Sequence, residues 1–475
     1  MKFPPIIQGG MGVAVSGWQL ALSVSLRGQI GVVSGTAIDL VITRRLQLGD
    51  PGGHLRRALA AFPNPDIARY IADRYFIEGG KAPDQPFKSK PVIDHNPRRR
   101  AQELLVVSNF VEVFLAKEGH AGLVGINYLH KIQTPLMPSI YGAMLAGVDI
   151  IIIGAGIPLE VPNIIDHLVR HEPVEMKFPV RTTEGTRIEK LTFDPKLIFD
   201  ETRPPAKRPF FFPIVSSVTL ATLMVKKCEG GVDGLIIEGP TAGGHNAPPR
   251  GRPNLTEEGE PIYGPRDDID LDAIGSHGLP FFLAGSYGSP DGLVRARAAG
   301  AAGIQVGTLF AFCEESGMRQ DLKRDTIARC QAGTQRVFTD PIASPTGFPF
   351  KVLSIAGTAS EADVYENRQR VCDLSYLREA FEKEDGTIGW RCSADVEEIY
   401  VSKRGKLEDA VGRKCLCNGL MANIGMGQIR KNTGEEVPLL TCGDGVSSIL
   451  KVMKPGETSY SSSDVIDFLL NSSAS

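Results

Sequence analysis

The sequence predicts an α/β chain built on a (β/α)8 TIM barrel, with inserted cap segments and a C-terminal helical extension. Two observations carry this. Eight short apolar runs bounded by glycine or proline recur over the first two thirds of the 475 residues, and stretches with helical periodicity lie between them. The runs are continuously apolar instead of alternating, which suits strands covered by other elements on both faces. A doubly wound open sheet is the alternative, because a strand count does not establish closure.

In chain order the strands are "PPIIQGG" (4 to 10), "QIGVVSG" (29 to 35), "GLVGINYL" (122 to 129) and "VDIIIIGAG" (148 to 156), then "FFFPIVSS" (210 to 217), "DGLIIEG" (233 to 239), "LPFFLAGS" (279 to 286) and "AGIQVGT" (302 to 308). Three following helices carry start signals. Thr134 with Pro135, Ser289 with Pro290, and Asn96 with Pro97 each pair an N-cap residue with a proline suited to the first helical turn. The barrel is expected over 1 to 320, interrupted by insertions at about 36 to 96 and 172 to 209, the second forming a hairpin around Glu184-Gly185. Residues 321 to 475 are expected as an extension packed on the barrel, with a serine-rich tail that frays.

Lys and Arg total 52 against 55 Asp and Glu, a formal charge of −3. That balance gives no reason to expect nucleic acid as a partner. The opening "MKFPPIIQGG" lacks a secretory apolar stretch, and "VDIIIIGAGIPLEV" is too short and glycine-broken to span a bilayer. The expectation is a cytoplasmic protein with no membrane partner. Eight cysteines in a reducing compartment are then expected as thiols or metal ligands.

In such a barrel, chemistry gathers at the C-terminal ends of the strands, with a phosphate often held after the seventh and eighth. Gly285 and Ser286 end the seventh strand and Gly307 and Thr308 the eighth. Either pair alone reads equally as a tight turn; together they favour a phosphate site. Gly9, Gly10 and Met11 after the first strand can lay backbone against a flat ring, though glycine-rich turns are common. Asn127 in the third strand suits either a heteroaromatic edge or a structural turn. After the sixth strand, "EGPTAGGHNAPPRG" places Gly243 and Gly244 before His245, leaving space for something planar beside a group that accepts or donates a proton. The other seven histidines are expected in surface or capping roles.

Taken in order, "PPIIQGGMG", "GINY", "PIVSSVTLA", "GLIIEGPTAGGH", "FFLAGSYG" and "GIQVGTLFAF" resemble the FMN-dependent nitronate monooxygenases, formerly 2-nitropropane dioxygenases, and the related FMN-dependent enoyl reductases. "CDLSYLREAFEKEDGTIGWRC…GRKCLCNGLMANIG" is similar to the subgroup of enoyl reductases from polyunsaturated fatty-acid and polyketide synthases. The resemblance implies FMN as cofactor and His245 as the active-site histidine. Gly9, Gly10, Met11, Asn127 and Ser217 are then expected at the flavin, with Gly243 and Gly244 beside it and Gly285, Ser286, Gly307 and Thr308 at the phosphate. Thr241 departs from the glutamate common in the family. The implied reaction is oxidation of alkyl nitronates with oxygen. The alternative is NAD(P)H-dependent reduction of an enoyl thioester, with an acyl-carrier protein as partner.

Residues 246 to 268 bear on the alternative, because Arg250, Arg252 and Arg266 suit a nucleotide or phosphopantetheine phosphate. Glu257, Glu258 and Glu260 make a solvated lid the simpler reading. A barrel without flavin, acting as aldolase, isomerase or sensor, can use the same two phosphate loops. Cys372, Cys392, Cys415 and Cys417 suffice in number for zinc or an iron–sulfur cluster. With no CxxC pair among them they are expected as partly buried thiols, with no metal.

Overall fold

The computed structural model describes residues 2 to 471 apart from 200, 202, 252 and 253. The serine-rich end of the tail (472 to 475) and Arg252 therefore lie outside the described residues. Eight parallel strands form one sheet: β1 (Ile6–Gln8), β2 (Gly31–Ser34), β3 (Val124–Leu129), β4 (Ile150–Gly154), β7 (Phe210–Val215), β8 (Leu235–Glu238), β9 (Phe281–Ala284) and β10 (Gly303–Val306). Each of the eight apolar runs holds one of them. β1 pairs with β10, and a parallel bridge between Ile7 and Ile30 joins β1 to the β2 side, so the sheet is closed into a barrel.

The continuous apolar runs follow from burial on both faces. Ile7, Val32, Ile150, Ile152, Phe212, Ile236 and Phe282 fill the interior, and Phe3 sits edge-on to Phe210 and Phe212 at centroid distances of 5.3 and 5.2 Å. Their neighbours along the strands, including Val33, Ile151, Ile153, Phe211, Ile237 and Ile304, pack outward with the helices. At roughly 1.5 to 3 kcal/mol per buried large apolar side chain, these two shells supply most of the driving force for closure.

The helix starts correct two expectations. Ser289 caps Pro290–Ala298 as read, its hydroxyl accepting from the Gly292 N–H at 2.9 Å. Thr134 does not cap: Pro135 takes the boundary position of Leu136–Leu145. Asn96 and Pro97 lie outside Arg99–Ala116, whose boundary residue is Arg98. That helix is buried on most of its surface, so tertiary packing sets its ends more than a local cap does.

Between β4 and β7 the chain forms a hairpin, β5 (Val174–Thr182) and β6 (Gly185–Phe193), with alternating burial along β5. From Val337 onward the chain carries helices and also antiparallel pairs, β11 (Val337–Asp340) with β12 (Phe350–Leu353), β13 (Glu379–Glu382) with β14 (Ile388–Arg391), and the short β15 (Ile429–Arg430) with β16 (Gly434–Glu435). β13 adds in parallel to β5, Ala380 opposite Val180. Leu440, Val446, Ile449 and Ile466 of this segment join the main core. Asp39 ties the first insertion to the same segment, accepting from Tyr376 Oη at 2.6 Å and pairing with Lys90 at 2.7 Å. Among the described residues no helix is long and apolar enough to cross a membrane.

Candidate active site

A cavity of about 780 Å³ opens at the C-terminal ends of the barrel strands. Gly9, Gly10, Met11, Asn127, Ser217, Gly243, Gly244, His245, Gly285, Ser286, Gly307 and Thr308 all line it. These positions span 300 residues of chain. The parallel barrel brings them together because every strand ends at the same mouth.

Two glycines show why bare backbone is needed. A Cβ on Gly10 would lie 2.2 Å from Asn127 Cβ, so the β1 loop passes directly over that side chain. A Cβ on Gly243 would meet the backbone of Cys442 and Gly443 at 2.8 Å. The C-terminal segment thus packs where a side chain on residue 243 would stand, while Gly243 itself lines the cavity. Gly244 answers better to the expectation: a Cβ there meets nothing within 4 Å, and its φ of +80° favours glycine.

His245 is clamped by that same segment. Its backbone bridges Phe350, with Lys351 N–H donating to Gly244 O at 3.0 Å and Asn246 N–H to Pro349 O at 2.9 Å. The ring stands edge-on to Phe350 at 4.9 Å, and Nε2 lies 2.7 Å from Ser344 Oγ. Ser344 Oγ is in turn 2.8 Å from Thr346 Oγ1. Burial pushes the imidazole pKa down to about 4, so the ring is neutral at pH 7 and keeps one lone pair and one N–H. Of the histidines expected at the periphery, His130 departs: burial lowers it to about 4 as well, although it does not line the cavity.

Glu238, at the end of β8, also faces the cavity, and burial raises its carboxyl to about 8. It is therefore mostly protonated at pH 7. The remaining charged side chains among the described lining residues are Arg250 and Lys451, so the cavity is cationic and suits an anionic ligand. Sequence reasoning passed over Glu238 despite quoting its strand; a lone acid ending an apolar strand was the available signal. Gln305, Lys451 and Ser344 were also missed, the last two because nothing local marks a residue that reaches the site from 100 to 200 positions away.

The raised Glu238 pKa has a stability consequence. Unfolding restores an ordinary carboxyl near 4.5, so the unfolded state loses its proton first as pH rises. The stability contributed by the protonated form is full below pH 4.5 and is lost as pH rises towards 8. Glu238→Gln in ligand-free protein is expected to raise Tm relative to wild type progressively over that window, reaching a gain of several degrees at pH 8. A wild-type-to-variant difference independent of pH would show that the carboxyl is not desolvated.

Residues 168–339 match a family model described as nitronate monooxygenase. The chain is 29% identical over 140 residues to (3aS,4S,5R,7aS)-5-hydroxy-7a-methyl-1-oxo-octahydro-1H-indene-4-carboxyl-CoA dehydrogenase of Mycobacterium tuberculosis (strain ATCC 25618 / H37Rv), covering 30% of this chain and 35% of that protein. The match thus spans about a third of the curated relative. Among solved structures, FabK from Thermotoga maritima aligns at TM-score 0.47 and 15% identity over 99% of this chain and 92% of its own. The enoyl reductase domain of MlnA from the macrolactin biosynthesis cluster of Bacillus amyloliquefaciens aligns at 0.47 and 13% over 98% and 93%. Nitroalkane oxidase from Streptomyces ansochromogenes aligns at 0.38 and 15% over 74% and 78%. The family match is the counterpart of the motif resemblance, and it supports an enzyme of the oxidoreductase class.

Proposed function

We propose that the chain is an FMN-dependent oxidoreductase that oxidises alkyl nitronates with oxygen. The observation that carries this reading is a neutral, clamped His245 facing a cationic cavity that holds unpartnered polar atoms. Gln305 Oε1 and Asn246 Oδ1 are buried there without a hydrogen-bond partner, a costly state that a polar heterocycle relieves. The volume lies within the range of cofactor sites. The residues present therefore fit a flavin, which when bound supplies two-electron redox chemistry and reoxidation by oxygen.

Each group then has a part. Gly9, Gly10 and Met11 support the ring, and the Asn127 amide meets its polar edge. Ser217 Oγ accepts from the Leu220 N–H at 3.0 Å, which leaves its O–H to donate into the cavity. Thr308 Oγ1 accepts from Gly443 N–H at 2.9 Å and likewise keeps a hydroxyl proton for the phosphate, beside Gly285, Ser286 and Gly307. Gly243 and Gly244 set the backbone path that presents His245. The imidazole lone pair takes the proton from the carbon bearing the nitro group when the substrate arrives as the neutral acid. Arg250 and Lys451 attract the anionic nitronate. Eight free cysteines accord with a reducing, cytoplasmic setting.

The test is oxygen uptake by flavin-loaded protein given propionate 3-nitronate. Consumption of oxygen matched to loss of nitronate is expected; no uptake overturns the reading. Thr308→Ala is expected to weaken FMN binding about fivefold, the worth of roughly 1 kcal/mol for one hydrogen bond, measured by quenching of flavin fluorescence.

One observation favours enoyl-thioester reduction as a second reading. Arg250 stands at the cavity mouth, its backbone N–H held by Asp267 at 2.8 Å and its guanidinium donating to Ser216 O at 3.0 Å, which leaves other N–H groups for a phosphate. NAD(P)H and a phosphopantetheine-borne substrate, free or on an acyl-carrier protein, both present one. On this reading Arg250→Ala raises the KM for NADPH or thioester about tenfold, and unchanged KM values exclude it.

A further inference from the structure

Cys372, Cys392, Cys415 and Cys417 come from three separate stretches of the C-terminal segment and line one small cavity of about 10 Å³. The spacing that argued against a metal is answered by the fold, because the β13–β14 hairpin carries Cys392 back to Cys372 and the start of the helix Leu416–Ala422 brings in Cys415, its boundary residue, and Cys417. Cys372 and Cys392 lie side by side in this lining, and all four cysteines are free of disulfides.

Hydrogen-bond donors and cations surround the four sulfurs. Backbone N–H groups face three of the sulfurs: Ser375 towards Cys372, Asn418 towards Cys415, and Tyr376 and Leu377 towards Cys417. The Asn418 amide also donates to Cys415 Sγ at 3.5 Å. Three cations lie near the group, Arg368 by Cys415, Arg378 by Cys372 and Cys392, and Lys403 by Cys372. Such donors and cations are the surroundings that a buried centre of net charge −2 requires.

We propose that these four cysteines bind a single zinc ion. Zinc replaces four thiol protons, forming four Zn–S bonds and releasing the protons to solvent, with no change of oxidation state. A cavity of this size has room for about one small particle, which favours one ion over a multi-iron cluster. Among the described residues no group of three or more His, Cys, Asp or Glu side chains is already arranged to hold a metal. Binding therefore requires the four sulfurs to move inward around the ion. Its consequence reaches the active site, because Leu420 and Asn423 on and after the Cys417 helix line the large cavity and Arg413 Nη1 donates to Ser344 O at 2.6 Å. The centre is structural, and it stands or falls independently of the reaction proposed above.

The test is metal analysis of untagged full-length protein purified without chelators, followed by exchange with cobalt(II). About one zinc per chain is expected, with cobalt giving the thiolate charge-transfer and tetrahedral visible bands of an all-sulfur site. Cys417→Ser and Cys392→Ser are expected to lower zinc at least tenfold, and Cys228→Ser to leave it unchanged. If the two serine variants do not fold, the wild-type stoichiometry and cobalt spectrum still decide. Protein with less than a tenth of a zinc per chain and no cobalt bands, a Cys372–Cys392 disulfide found by mass spectrometry, or iron with acid-labile sulfide would each overturn the proposal.

Discussion

Replacing His245 by alanine is expected to reduce kcat/KM for a neutral nitroalkane by a factor of about 10² to 10⁴, the usual worth of a positioned general base, while leaving kcat/KM for the preformed nitronate within about tenfold of wild type. The asymmetry follows from the proposed chemistry: the nitronate arrives without the proton that His245 would remove. Burial holds the imidazole neutral, with a pKa of about 4, so its lone pair is free throughout the neutral range, while the same shift makes it a weaker base than an exposed histidine. The same shift fixes a sign for stability. His245 is lowered from 6.5, so its contribution is complete above pH 6.5 and is lost as pH falls towards 4, where the folded state must take up a buried charge. Oxygen-uptake kinetics on both substrates check the first expectation. Equal losses on nitroalkane and nitronate would show that His245 shapes the cavity instead of moving a proton.

Gly10→Ala is expected to abolish flavin retention while leaving the chain folded. The new methyl group would fall 2.2 Å from Asn127 Cβ and 3.0 Å from its Cγ, distances at which one of the two must move. Gly10 follows β1 and Asn127 lies in β3, two strands whose positions the closed barrel fixes, so the displacement falls on the loop and on the Asn127 side chain. Both line the proposed ring site. Relief of such overpacking costs typically about 1 to 3 kcal/mol, tolerable for a barrel of this size but ruinous for a planar ligand in contact with both groups. The flavin-to-protein absorbance ratio after gel filtration is expected to fall below about a tenth of the wild-type value, with Tm lowered by a few degrees. Retention of flavin at the wild-type level would remove the β1 loop from the site.

The sequence by itself determined the barrel and the set of residues at its mouth. Runs such as "DIIIIG" and "GLIIEG" are apolar on both faces because each barrel strand is buried on both, and that signal is local. Gly9, Asn127, His245, Gly285 and Gly307 were legible for a related reason: each lies in the last half of a strand or follows one, and parallel strands in a barrel deliver their ends to one place. The tertiary structure decided everything that depends on the C-terminal segment. Ser344 and Phe350 hold the His245 ring, Thr441 Oγ1 accepts from the Gly244 N–H at 2.9 Å, and the Cys442–Gly443 backbone packs where a side chain on residue 243 would stand. These contacts join residues 99 to nearly 200 positions apart, and neither periodicity nor turn chemistry carries information over that separation. The charge state of the cavity was likewise beyond the sequence, because Glu238 and His245 are neutral through desolvation, a property of the surrounding packing and not of the residue. The four C-terminal cysteines show the same limit: their spacing along the chain argues for separate thiols, and only the folded hairpin and helix bring them around one cavity.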